Sequence, residues 1–163
     1  MTEFTTWRSL VDGEEIATIP DSVVSRPDDD NSFSTTEFRG LQINSDLEWP
    51  SIGAEISANT SDATDAYVYR VSDGTLLGQT DISGLGAGDT FTVDDVNIQA
   101  NTDYNFILNA DGNSWTAGFT SEFSYPYTSE DGNLSIVNDA TGETTSSDEN
   151  PVALTRIGNV GFD

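Results

Sequence analysis

The chain contains no cysteine and no histidine, and all of its basic residues are arginine, so lysine is missing as well. Without cysteine there is no disulfide and no thiolate metal site, which suits a cytosolic, virion or archaeal-surface protein better than a small secreted scaffold. Without all three residue types there is no Ser-His or Cys-His nucleophile pair, no Schiff-base lysine and no imidazole metal site. Only carboxylate chemistry survives, chiefly glycoside hydrolysis by two acidic residues. With 29 Asp and Glu, some pair falls at a suitable separation by chance, so the reading is that the protein is not an enzyme. No apolar run approaches the roughly 20 residues that span a bilayer. The opening Met1-Thr2-Glu3-Phe4 lacks the basic and apolar regions of a signal peptide. The expectation is a soluble protein made in the cytoplasm and not inserted in a membrane.

What the chain has in excess is negative charge. Five basic residues face 29 acidic ones, for a net charge of −24, and serine and threonine add 38 residues. In dilute buffer such a charge opposes compaction by self-repulsion. In molar salt the Debye length falls to about 3 Å and most of that repulsion is screened. Carboxylates stay well hydrated, whereas lysine would add apolar stem to the surface. The composition therefore predicts adaptation to a hypersaline environment and a need for roughly molar salt to fold. Thirteen Phe and Tyr with three Trp, set in alternating segments, argue against an acidic disordered chain. Direct nucleic-acid binding is excluded, because nothing here neutralises a run of phosphates.

At 163 residues the chain suits one domain with a short appended arm. In residues 1–30, Phe4, Trp7, Leu10 and Val11 recur at near-helical spacing and predict a short amphipathic turn ended by Asp12-Gly13. "IATIPDSVVSRPDDDN" then reads as extended chain or an isolated strand followed by a linker. These residues either pack on the main domain or form an arm that docks on a neighbouring subunit. From Asn31 to the end, strand signals follow at short intervals: "TEFRGLQI", "SIGAEISA", "AYVYRV", "TLLGQTDI", "DTFTV", "TDYNFIL", "SWTAGFTSEF", "NLSIV" and "VALTRIGNVGF". Asp73-Gly74, Asp111-Gly112, Asp131-Gly132 and Thr141-Gly142 mark turns. About nine short strands and no long helix predict an all-β antiparallel sandwich over residues 31–163. "GLGAG" (84–88) is no dinucleotide fingerprint, because a strand rather than a helix follows it. "NDATGETTSSDENP" (138–151) reads as a polar loop, long enough to be mobile or to reach a partner.

Three sets of residues are candidates for binding. Asp28, Asp29 and Asp30 offer oxygen ligands to Ca²⁺ or Mg²⁺, although a solvated acidic surface produces such runs without any cation. Trp115, Tyr125 and Tyr127 could stack on sugar rings, the two tyrosines held by the rigid Tyr125-Pro126-Tyr127 element; core packing is the competing reading. Phe4, Trp7, Leu10 and Val11 form the apolar set of the docking arm. Arg39, Arg70 and Arg156 each sit within an expected strand and should have carboxylate neighbours.

The order of segments from Phe38 to Phe162, "FRGLQI", "YVYRVSDGTLLGQTDISGLGAGDTFTV", "NIQANTDYNFILNADG" and a closing "LTRIGNVGF", resembles the jelly-roll modules of virion proteins of tailed viruses and of related surface or carbohydrate-binding proteins. The resemblance covers about four-fifths of the chain and describes a fold rather than a site. It implies a jelly roll and, with the acidic lysine-free composition, a haloarchaeal virus as source. A structural protein of the virion surface would follow, as a capsid decoration, turret or tail component made in the host cytoplasm. Its partners would be other virion proteins and copies of itself, with the arm as anchor. The alternative is a module that recognises cell-surface glycans, and a carboxylate glycosidase ranks third. No catalytic residue and no firm cofactor is implied.

Overall fold

The structure, a computed structural model, describes residues 10–11, 14–15, 22–147 and 150–158. Among them there is no helix. The strands are β1 (Leu10–Val11), β2 (Glu14–Glu15), β3 (Val23–Ser25), β4 (Asn31–Thr35), β5 (Arg39–Ser45), β6 (Ile52–Ile56), β7 (Asp65–Arg70) and β8 (Thr75–Asp81). They continue as β9 (Thr90–Val93), β10 (Asp103–Asn109), β11 (Trp115–Phe119), β12 (Tyr127–Thr128), β13 (Leu134–Ala140), β14 (Ser146–Ser147) and β15 (Leu154–Gly158).

The large sheet runs β12-β13-β5-β10-β7-β8, with β14 added to β13. The small sheet runs β3-β15-β6-β9. Every pairing is antiparallel. The two sheets enclose one core and form the expected sandwich. Alternation decides which side chains enter it. Leu41 and Ile43 of β5, Phe106 and Leu108 of β10, and Ile52 and Ala54 of β6 are all removed from solvent. Phe91 of the small sheet meets Phe106 of the large one edge-on, with ring centroids 5.7 Å apart. The β4–β11 ribbon covers one end and is tied to the rest by bridges Ser61↔Thr116 and Phe119↔Val152.

Two glycines explain close approaches. A Cβ on Gly40 would collide with the Phe106 carbonyl, so the "RGLQ" glycine lets β5 lie flat against β10. Gly84 and Gly88, both at positive φ, turn the chain between β8 in the large sheet and β9 in the small one. The glycine-rich segment is thus a crossing, as read from the sequence.

Two expectations need correction. Leu10–Val11 is not helical; it pairs in extended form with Glu14–Glu15. The two residues between them, Asp-Gly, are a hairpin signature as much as a helix stop. Phe4 and Trp7 lie outside the described residues. Second, the boundary after residue 30 does not separate arm from sandwich. β3 pairs with β15, with Val24 opposite Ile157 and only 1% exposed. Pro20 and Pro27 made this stretch look like a linker, but proline is tolerated beside an edge strand, and β3 is one.

Candidate functional site

The residues proposed from sequence are not brought together. Trp115 is a core residue, 1% exposed, and its indole N–H donates to the Glu37 carbonyl at 3.1 Å. It is therefore no platform for a sugar, and core packing is the correct reading. Tyr125 and Tyr127 are half-buried against the core. With Phe123 they form a row, with centroids 5.2 Å and 5.9 Å apart. The Tyr127 hydroxyl accepts the Ser124 N–H at 2.7 Å.

The acidic run is occupied by the fold itself. Asp28 Oδ1 accepts the Asp29 and Ala58 N–H groups at 2.9 Å each, and Asp30 accepts from the Asn31 amide at 2.9 Å. Asp29 is buried, and Arg26 Nη1 and Nη2 donate to its two oxygens. Burial pushes the Asp29 carboxyl above its ordinary pKa, and Arg26 opposes that shift. No group of three potential ligands able to hold a metal occurs among the described residues. The expectation for Arg39, Arg70 and Arg156 holds: Arg39 pairs with Glu37 at 2.9 Å, Arg70 with Asp73 at 2.8 Å, and Arg156 with Glu55 at 2.7 Å.

The feature that sequence reading missed lies on the outer face of the large sheet. Ala66 and Val68 of β7 point into the core, so Tyr67 and Tyr69 point out. Phe38, just before β5, packs edge-on against both, at 5.5 Å and 6.3 Å, and the two tyrosine rings stack at 5.9 Å. Ile107 and Ala140 form the floor of this second cluster. Burial raises the pKa of both tyrosines, helped by Asp65 at Tyr67 and by Glu143 at Tyr69, so both hydroxyls stay protonated at neutral pH.

Beside this cluster runs an open groove of about 860 Å³. Phe38 and Tyr67 supply its apolar wall, and Glu37, Asn109, Asp111 and Ser147 are among its polar groups. One bank is the segment 141–147. From sequence, 138–151 reads as a polar loop, long enough to be mobile or to reach a partner; residues 138–140 instead belong to β13, and 141–147 folds back over the sheet. Asn105 of β10 is fully buried and holds it. Its amide donates to the carbonyls of Gly142, Thr145 and Glu143 at 2.8, 3.1 and 3.3 Å, and its oxygen accepts from the Ser146 hydroxyl at 2.9 Å. The Ser147 hydroxyl donates to Asp139 at 3.0 Å. Asp148 and Glu149, farther along that loop, are outside the described residues.

The signals for this site were present. "AYVYR" places two tyrosines two residues apart, hence on one face, and "DYNFIL" puts an asparagine on the same outer face of the neighbouring strand. The groove offers stacking surface, hydroxyl and amide groups and carboxylates on a rigid sheet. Such a set can hold a polyhydroxylated ligand. Comparison with known protein families, curated proteins and solved structures finds no match to this chain.

Proposed function

We propose that this chain is a non-enzymatic binding module whose outer-face groove recognises carbohydrate, a sugar ring lying on Tyr67 and Phe38. The observation that carries the reading is the aromatic cluster facing outward from a strand, beside Asn109, Asp111 and Ser147 and walled by a pinned segment. An apolar ring surface with a few fixed polar groups is the usual build of a small-ligand site. Because Tyr67 stands on β7 and Phe38 is packed against it at the entry to β5, the platform loses little side-chain freedom on binding. The test is a glycan panel, screened at about 2 M KCl to suppress charge effects. Tyr67→Ala is expected to weaken the best ligand at least tenfold, about 1.4 kcal/mol, while Tyr125→Ala leaves it unchanged. If Tyr125→Ala weakens binding instead, the row Phe123-Tyr125-Tyr127 is the site.

The structural virion-surface role is a second reading, supported by an uncovered sheet edge. β8 ends the large sheet, and Leu76 on it is the one exposed large hydrophobic among the described residues, at 45%. Such an edge invites pairing unless something covers it, and assembly would do so. On this reading the jelly-roll kinship, the haloarchaeal virus and the docking arm belong together, and the groove would face the host. Removing residues 1–21 tests the arm, because a longer deletion also removes β3. Light scattering of both chains should show an oligomer that falls to monomer; an unchanged mass would reject the arm.

A further inference from the structure

The large sheet leaves one long edge open. β8, of seven residues, ends it, and Thr75, Leu76, Gln79 and Asp81 on it are exposed. The other sheet ends differ. β12, β14 and β3 have only two or three residues each. β9, which ends the small sheet, is flanked by Asp89 on one side and by Asp94 and Asp95 on the other. Proteins blunt an open edge with lysine, proline, inward-pointing charge or a bulge. This chain has no lysine, and β8 has no proline. Its one device is a bulge at Leu77, after which Gly78–Asp81 run in regular register along β7.

Charge decides what can approach this edge. In a chain of net charge −24, most of the surface repels a second copy. From Thr75 to Thr80, β8 has no ionisable side chain, and Asp81 closes it. Arg70 stands at the other end, opposite Thr75, and donates to its hydroxyl at 3.2 Å. Arg70 also holds Asp73 through Nε and Nη2, and its Nη1 has no hydrogen-bond partner among the described residues. Two β9 strands laid antiparallel would bring carboxylates together at both ends. β8 instead has a cation at one end and an anion at the other. We propose that two copies of this chain pair edge to edge through β8, antiparallel and about a two-fold axis. Asp81 of each copy then comes to the end that carries Arg70 of the other, and the seam covers Leu76. Such an isologous contact is self-complementary, and the ladder satisfies edge N–H and C=O groups that otherwise invite stray pairing. Leu76 lies opposite Tyr69 on the outer face, so the seam runs beside the tyrosine platform. The two-fold axis stands perpendicular to the joined sheet, and both outer-face grooves open on the same side. On the carbohydrate reading, a repeating glycan is then held at two points, which raises avidity without a new contact. The pairing itself rests on the open edge of the assembly reading, and on neither the arm nor the sugar groove.

The experiment is light scattering of the full chain at about 2 M KCl over a wide range of concentration, with Leu76→Glu beside it. Leu76 is exposed, so the variant keeps its fold, checked by an unchanged circular-dichroism spectrum. The full chain is expected to reach twice the monomer mass and stop there, with Leu76→Glu weakening the dimer by about tenfold or more. On the unaltered chain, amide exchange in Gly78–Asp81 should slow as the dimer forms. Orientation is read by cross-linking, which the absence of cysteine from the chain makes site-specific. With a short bifunctional thiol reagent, Thr75→Cys mixed with Asp81→Cys should link across copies faster than either variant links to itself. Removing residues 1–21 leaves this dimer whole, whereas an arm-held oligomer falls to monomer, so the two ideas fail on opposite results. Monomer at every concentration, a dimer indifferent to Leu76→Glu, exchange in Gly78–Asp81 that ignores concentration, faster linking of like positions, or dissociation on removal of residues 1–21 overturns the proposal.

Discussion

Asp29 and Arg26 have side chains wholly out of solvent, and Arg26 Nε also donates to the Leu154 carbonyl at 2.7 Å. A buried pair is weak evidence of net stabilisation, but removing one member strands the other charge. Asp29→Ala is therefore expected to cost about 3–5 kcal/mol in urea unfolding; a loss below about 1 kcal/mol would mean that water reaches Arg26. Acid titration separates carboxylates of opposite sign. Asp131 is pushed up by burial, yet hydrogen bonds from Ser129, Ser22 and Asn133 outweigh that and leave its pKa below the ordinary 3.8. Asp73 and Asp81 are also lowered, by Arg70 and Ser83 respectively. The unfolded chain then binds more protons than the native one, so the stability they give is present above about pH 4 and fades below it. Asp29, with its raised pKa, acts oppositely: its ionisation opposes folding as pH rises from the ordinary carboxylate range through its folded pKa. Asp131→Asn should flatten the acid limb of a stability–pH curve. An unchanged limb would mean that Asp131 is not held as its hydrogen bonds indicate.

At the scale of elements, the segment 141–147 depends on one side chain from another strand. Asn105→Leu keeps the branching at Cγ and removes the donors, leaving the carbonyls of Gly142 and Thr145 to find water. The expected loss is about 1–3 kcal/mol, with faster amide exchange confined to 141–147. Exchange unchanged there would show that β14 alone holds the segment. This segment also marks what a sequence conveys. Strands with period-two alternation, such as "SIGAEISA" and "DYNFIL", were legible because one face must be buried. The hairpin at Asp73-Gly74 was legible because Gly74 needs positive φ, and it has it, at 69°. β3 was legible as extended chain or an isolated strand, but its place in the small sheet was not: three residues carry too short a pattern, and the partner β15 lies more than a hundred residues away. The site was half legible. Trp115 looked like a platform because size and aromaticity do not reveal which face a residue occupies; Tyr67 and Tyr69 looked like ordinary strand residues for the same reason. Only the register against β10 and the return of 141–147 define the groove.

At the scale of the whole molecule, a net charge of −24 is expected to oppose compaction until salt screens it. Among the described residues four arginines have carboxylate partners, so most of the carboxylates there are not paired with an arginine. The midpoint of urea unfolding should rise steeply between about 0.1 M and 2 M KCl, as the Debye length falls from about 10 Å to a few. A midpoint independent of salt would contradict halophilic adaptation. The same screening sets the conditions for any binding experiment, since a repelled ligand and an absent site look alike in dilute buffer.

The most direct measurement is chemical-shift mapping of the full chain at about 2 M KCl, a concentration chosen to screen the charge, with the strongest ligand from the glycan panel. Perturbations are expected to centre on Phe38, Tyr67, Asn109, Asp111 and the amides of 141–147, and to vanish in Tyr67→Ala. Perturbations centred on Phe123, Tyr125 and Tyr127, or no saturable shift with any glycan, would contradict a carbohydrate site on the outer face.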